Sequence, residues 1–60
     1  MFKNFSVSVT FYNRLDEFAQ LNIEVLASNP EDARDSGFSA VKSVDRKNRP
    51  QSITVTMEIN

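Results

Sequence analysis

The chain has 60 residues and a formal net charge of −1, seven Lys plus Arg against eight Asp plus Glu, with no histidine and no cysteine. That composition removes disulfides, the thiol nucleophile, the soft metal ligands and the proton shuttle that titrates near neutrality. At 40% hydrophobic residues the chain is apolar enough to fold, but a domain this small buries only about 60% of its unfolded surface, so self-association is the expected source of added stability.

The opening Met1-Phe2-Lys3-Asn4 lacks the apolar core of a secretory signal, and no run approaches the roughly 18 apolar residues of a membrane span. A single domain over residues 1–60, cytosolic, is the expectation. From Phe5 to Tyr12 the residues alternate, with Phe5, Val7, Val9 and Phe11 on one side and Ser6, Ser8, Thr10 and Tyr12 on the other. That period of two predicts a half-buried strand. Phe18 to Ala27 alternates likewise, with Ala19, Leu21, Ile23, Val25 and Ala27 on one face. The polar Asn13–Glu17 segment between them predicts a hairpin with Tyr12 opposite Phe18 and Phe5 opposite Val25. A one-residue slip would turn the whole apolar set to solvent.

Ser28-Asn29-Pro30-Glu31-Asp32 carries helix-start signals: Asn29 to cap, Pro30 for the first helical position, and two acids at the positive end of the dipole. Ala33, Gly37, Ala40, Val41 and Val44 then form one stripe of small residues at helical spacing, with Phe38 at its edge. Gly37 costs about 1 kcal/mol of helix propensity relative to Ala, a cost that fits a helix lying very close to a sheet. Asp45–Pro50 reads as a loop. Ser52 to Asn60 reads as the last strand, with Ile53, Val55, Met57 and Ile59 inward.

The order β-β-α-β predicts an α+β fold: a three-stranded antiparallel sheet in the order 2-1-3 with one helix packed on one face. The other face then lies open, lined by Ser, Thr, Gln, Asn and Glu. The hairpin turn and the loop before the last strand come to the same end, gathering Arg14, Arg46, Lys47 and Arg49 beside Tyr12 and Phe18. Glu31, Asp32 and Glu58 fall at the opposite end. Both outer strands read as edges free of proline, open to pairing with a partner strand.

Enzymatic chemistry is not expected. Asp16-Glu17 and Glu31-Asp32 fall in a turn and a first helical turn, Ser6, Ser8 and Ser39 have no histidine to activate them, and a single glycine cannot build a phosphate cradle. No cofactor and no metal site is expected. The basic and aromatic end predicts a contact surface formed by Arg14, Arg46, Lys47, Arg49, Tyr12 and Phe18, with Leu26 and Phe38 as further apolar anchors. A protein partner is the first expectation. Single-stranded nucleic acid, held by the same cations with bases stacked on the rings, is the alternative, and assembly into a homo-oligomer through the sheet edges or the open face is a third.

The stretch Ile23-Glu24-Val25-Leu26-Ala27-Ser28-Asn29-Pro30-Glu31-Asp32-Ala33, strand to capped acidic turn to helix, with a strand resumed at Ile53-Thr54-Val55, resembles the layout of small phage-encoded accessory and host-takeover proteins, a class that includes podophage inhibitors of bacterial RNA polymerase. The resemblance implies a compact inhibitor or adaptor that occupies one host protein without chemistry of its own. It transfers no individual binding residue.

Overall fold

A computed structural model describes residues 1–58. Its elements are β1 (Lys3–Tyr12), β2 (Phe18–Ala27), α1 (Pro30–Val44) and β3 (Arg49–Met57). The strands form one antiparallel sheet in the order β2-β1-β3, with the helix on one face. The β1–β2 register runs from Lys3 opposite Ala27 to Tyr12 opposite Phe18, the pairing that the alternation requires. Asn13 closes the hairpin. Its amide donates to the Glu17 carbonyl at 2.9 Å, and its side-chain oxygen accepts from the amides of Leu15 and Glu17, each at 2.9 Å. Asp16 takes a left-handed backbone (φ 60°), a conformation that a short polar side chain tolerates.

The core is narrow. Phe5, Val7 and Val9 of the central strand are buried against Ala33 and Val41 of the helix, with Ala27 closing one end. Leu21, Ile23 and Val25 on one flank, and Ile53 and Val55 on the other, are only half-buried. The reason is dimensional: one helix about 10 Å wide lies over strands about 4.8 Å apart, so it covers the middle strand and only part of its neighbours. Gly37 sits on that centre line. A Cβ placed there would stand 2.5 Å from Val7 Cγ1 and 3.3 Å from Val9 Cγ2, so the glycine lets the helix settle onto β1.

The helix starts as its sequence predicts. Asn29 is the extended N-cap, its side-chain oxygen accepts from the Asp32 amide at 2.8 Å, and Pro30 holds the first helical position. Its far end departs from expectation at Val44, which belongs to the apolar stripe by spacing yet is 73% exposed. It is the last helical residue, and the buried part of the stripe, Ala33, Gly37 and Val41, ends one turn earlier. Closure there comes instead from Asn48, only 2% exposed, whose side-chain amide donates to the Val41 carbonyl at 3.0 Å. The Asp45 amide reaches the same carbonyl at 3.4 Å, and the Asn48 amide donates to the Asp45 carbonyl at 2.9 Å.

The last strand corrects the sequence reading. It begins at Arg49, not Ser52, so the connection shrinks to a tight turn and Pro50 lies inside the strand. Ile59, expected inward, lies outside the described residues. The β1–β3 register is Phe5 to Met57, Val7 to Val55 and Val9 to Ile53, then shifts by one between Thr10 and Phe11, so that Phe11 meets Pro50 and Tyr12 meets Arg49. The Glu58 amide donates to the Asn4 carbonyl. Antiparallel alternation therefore directs the even residues of β1 at β3 and leaves Phe11 and Pro50 in a pair whose backbone polar groups point away from each other. The missing N–H of Pro50 thus faces the free edge and costs no ladder bond. Met57 pairs with Phe5 and so shares the inward face as expected, but at the strand's end it stays 45% exposed.

Because Asn48 is the buried polar group that finishes the helix, Asn48→Ala should lower unfolding free energy by about 1–2 kcal/mol. Asn48→Asp at neutral pH should cost more, since a carboxylate would face the Val41 carbonyl. Urea unfolding of the two variants checks the order; an Asp tolerated as well as the native Asn would contradict the assignment.

Candidate contact surface

The hairpin turn and the α1–β3 turn meet at one end of the sheet, and specific side-chain bonds join them. Arg14 Nε donates to Asp45 Oδ2 at 2.6 Å, and the Arg49 guanidinium pairs with Asp16. Each pair joins segments more than 30 residues apart in sequence. Asp45 also accepts from the Lys47 amide through its other oxygen at 2.9 Å, so one carboxylate holds both its own turn and the hairpin. The hydrogen bond and charge of Arg14, with the Lys47 amide, hold the Asp45 carboxyl at about 2, below its ordinary 3.8, and Asp45 in turn raises Arg14.

All six residues expected at this end are brought together there, but they do not play equal parts. Arg14 and Arg49 are tied to carboxylates. Among the described residues no ion pair involves Arg46 or Lys47, and both are exposed. Lys42 Nζ donates to the Arg46 carbonyl at 3.1 Å, fixing the backbone from which that side chain projects. On the open sheet face, the rings of Tyr12 and Phe18 meet edge-on with centroids 5.3 Å apart, and the Arg49 guanidinium lies 6.0 Å from the Tyr12 centroid. The result is a lateral row across the sheet of Arg49, Tyr12 and Phe18, with Phe18 62% exposed. The sequence places these residues, and Asp16 and Asp45 with them, at one end; what it does not show is that the two aspartates pair with Arg14 and Arg49.

The open face next to this row is a hydroxyl and amide surface laced across strands. Ser8 Oγ and Gln20 Nε2 both donate to Asn22 Oδ1, at 2.6 and 3.0 Å, and the hydroxyls of Thr10 and Ser52 share a bond of 2.6 Å. On the helix side, two shallow depressions of about 210 and 220 Å³ lie along the seam between α1 and β3 and share Arg34 and Ile53. Phe38 lines one of them together with Pro50. Each is smaller than the roughly 300 Å³ at which ligand-enclosing pockets begin.

No family model, curated protein or solved structure was found to match the chain. No helix among the described residues is long and apolar enough to cross a membrane.

A folded-state carboxyl held below 3.8 adds stability that is fully present above that pH and is lost as the pH falls toward about 2. Arg14→Met should therefore move the Asp45 titration upward toward the ordinary aspartate value and make the fold give way at a higher pH during acidification. Carbon-detected NMR of the Asp45 carboxyl reads the first effect directly. A midpoint that stays at about 2 in the variant would assign the shift to the Lys47 amide alone.

Proposed function

We propose that this is a small non-enzymatic binding protein that occupies a surface of a larger protein, in the manner of a phage-type inhibitor or adaptor, and that it works as a self-associated unit. The contact surface is the end carrying Arg46 and Lys47 with the Arg49–Tyr12–Phe18 row. The observation that carries the reading is the combination at that end of rigidity and exposure. Two ion pairs and the Asp45 turn hold the loops together, while two cations and an aromatic pair face outward. A preorganised patch gives up less side-chain freedom on binding, and aromatic and Arg anchors dominate protein interfaces. The exposed large apolar residues, among them Phe2, Leu15, Phe18, Leu26 and Phe38, outnumber the large apolar residues of the core, which supports a chain built to be covered.

Arg14 and Arg49 serve the loops as well as any partner, so the variants that test the surface are Arg46→Glu with Lys47→Glu, and Phe18→Ala. Each leaves the two clasping ion pairs in place. Capture from a host lysate with the native chain, repeated with these variants at matched stability, should retain one protein that both variants lose. Equal retention by all three would place the contact elsewhere.

A nucleic-acid role for the same surface has one specific observation in its favour, the guanidinium beside two rings. Asp16 and Asp45 in the same cluster oppose it. Oligonucleotide affinity that is measurable at low salt and falls steeply as salt rises would favour that reading over the protein one.

A further inference from the structure

We infer that a second copy of this chain adds to the free edge of β2, antiparallel and centred on Asn22, to make one six-stranded sheet with both helices on the same face. This rests on the self-association proposed above and specifies its edge, register and contribution to the contact surface.

The two edges differ. Along β3 the free edge is interrupted by Pro50 and by the register shift beside it, both devices that blunt strand addition. The free edge of β2 carries neither. Its ten residues contain no proline and a single charge, Glu24, and pair with β1 without irregularity. The hairpin bond from the Asn13 amide to the Glu17 carbonyl sets the alternation: odd residues of β2 bond to β1, and the N–H and C=O groups of Phe18, Gln20, Asn22, Glu24 and Leu26 point outward. Two antiparallel copies can join these groups only in registers that set even residues opposite even residues.

One such register is complementary throughout. With Asn22 opposite Asn22 of the second copy, Phe18 meets its Leu26, Gln20 meets its Glu24, and on the helix side Leu21 meets its Ile23 while Ala19 meets its Val25. Every half-covered apolar residue on the flank of β2 gains an apolar neighbour, and no like charges are opposed. Sliding the copies by one allowed step sets Leu26 opposite Gln20 and moves Phe18 beyond the partner's strand in one direction, and in the other sets Phe18 opposite Glu24 with Leu26 beyond the strand; a second step in the first direction opposes Glu24 to itself. In the Asn22-centred register Leu26, now 67% exposed, extends the row Arg49–Tyr12–Phe18 across the copy boundary. The second copy therefore supplies part of the contact surface, and the dimer displays that surface twice.

The chain has no cysteine, so a single introduced thiol reports register. Directly opposed, hydrogen-bonded positions stand about 5.5 Å apart at Cα, within the range a disulfide spans. Asn22→Cys should cross-link to a dimer under mild oxidation. Gln20→Cys and Glu24→Cys should each fail alone, because each residue lies four positions, about 13 Å, from its own copy, but should cross-link when mixed. Sedimentation of the native chain should give twice 6.8 kDa, and Leu26→Lys, at an exposed site, should weaken the dimer on the order of tenfold for each of its two symmetry-related contacts. A native chain that stays monomeric up to millimolar concentration would overturn the self-association and this edge together. A dimer in which Asn22→Cys fails to cross-link, or Gln20→Cys cross-links alone, would overturn the register while leaving self-association standing. Neither result bears on whether Arg46 and Lys47 hold a partner.

Discussion

The contact of Gly37 with Val7 and Val9 is the constraint on which the rest of the architecture depends. With only one helix to shield a three-stranded sheet, the available core is a single line of side chains on β1 and the helix stripe above it. A side chain at position 37 would lift the helix away from that line. The glycine trades local helix propensity for proximity, and proximity is what lets Phe5, Val7, Val9, Ala33 and Val41 reach near-complete burial in so short a chain. The same geometry sets the limit of the design. A helix lowered onto the centre cannot also cover the flanks, so Leu21, Ile23, Val25, Ile53 and Val55 stay half-covered and the reverse face stays open.

The molecule's other features follow from that shortage of cover. Its described shape is long and thin, 38 × 16 × 14 Å, and it exposes 4360 Å², against about 4000 Å² for a folded monomer of its mass. Polar side chains on the reverse face satisfy one another across strands, which makes that surface flat and wet. At the loop end, where the core gives little support, ion pairs and the Asp45 turn hold the segments in place. The cations that need no internal partner are then free for use outside the molecule.

Much of this fold was legible in the chain. Alternation fixed the inner face of β1 and β2, and parity left one sensible hairpin register. Asn29-Pro30 with two acids marked the helix start, and Gly37 in a small-residue stripe announced the close approach. What was not legible depended on partners distant in sequence. Pro50 reads as a strand boundary until the register shift opposite Thr10 and Phe11 turns its missing N–H outward. Val44 fits the stripe by period, but the core beneath the stripe stops short of it. Asn48 reads as one more polar loop residue until the Val41 carbonyl is found above it. Arg14 and Arg49 read as free cations because nothing local pairs Arg14 with Asp45 or Arg49 with Asp16. Composition located the basic end, and only the folded geometry divided its residues into those that brace it and those that face out.

The most direct measurement is a double-substitution cycle between the helix and the central strand, followed by chemical unfolding. Gly37→Ala in the native background should destabilise by about 1–3 kcal/mol through overpacking against Val7, even though alanine favours the helix by about 1 kcal/mol. With Val7→Ala already in place the same change should be neutral or stabilising, because the obstructing methyl is gone. An equal effect in both backgrounds, or a stabilisation in the native one, would contradict the close approach from which the half-covered flanks and the open face both follow.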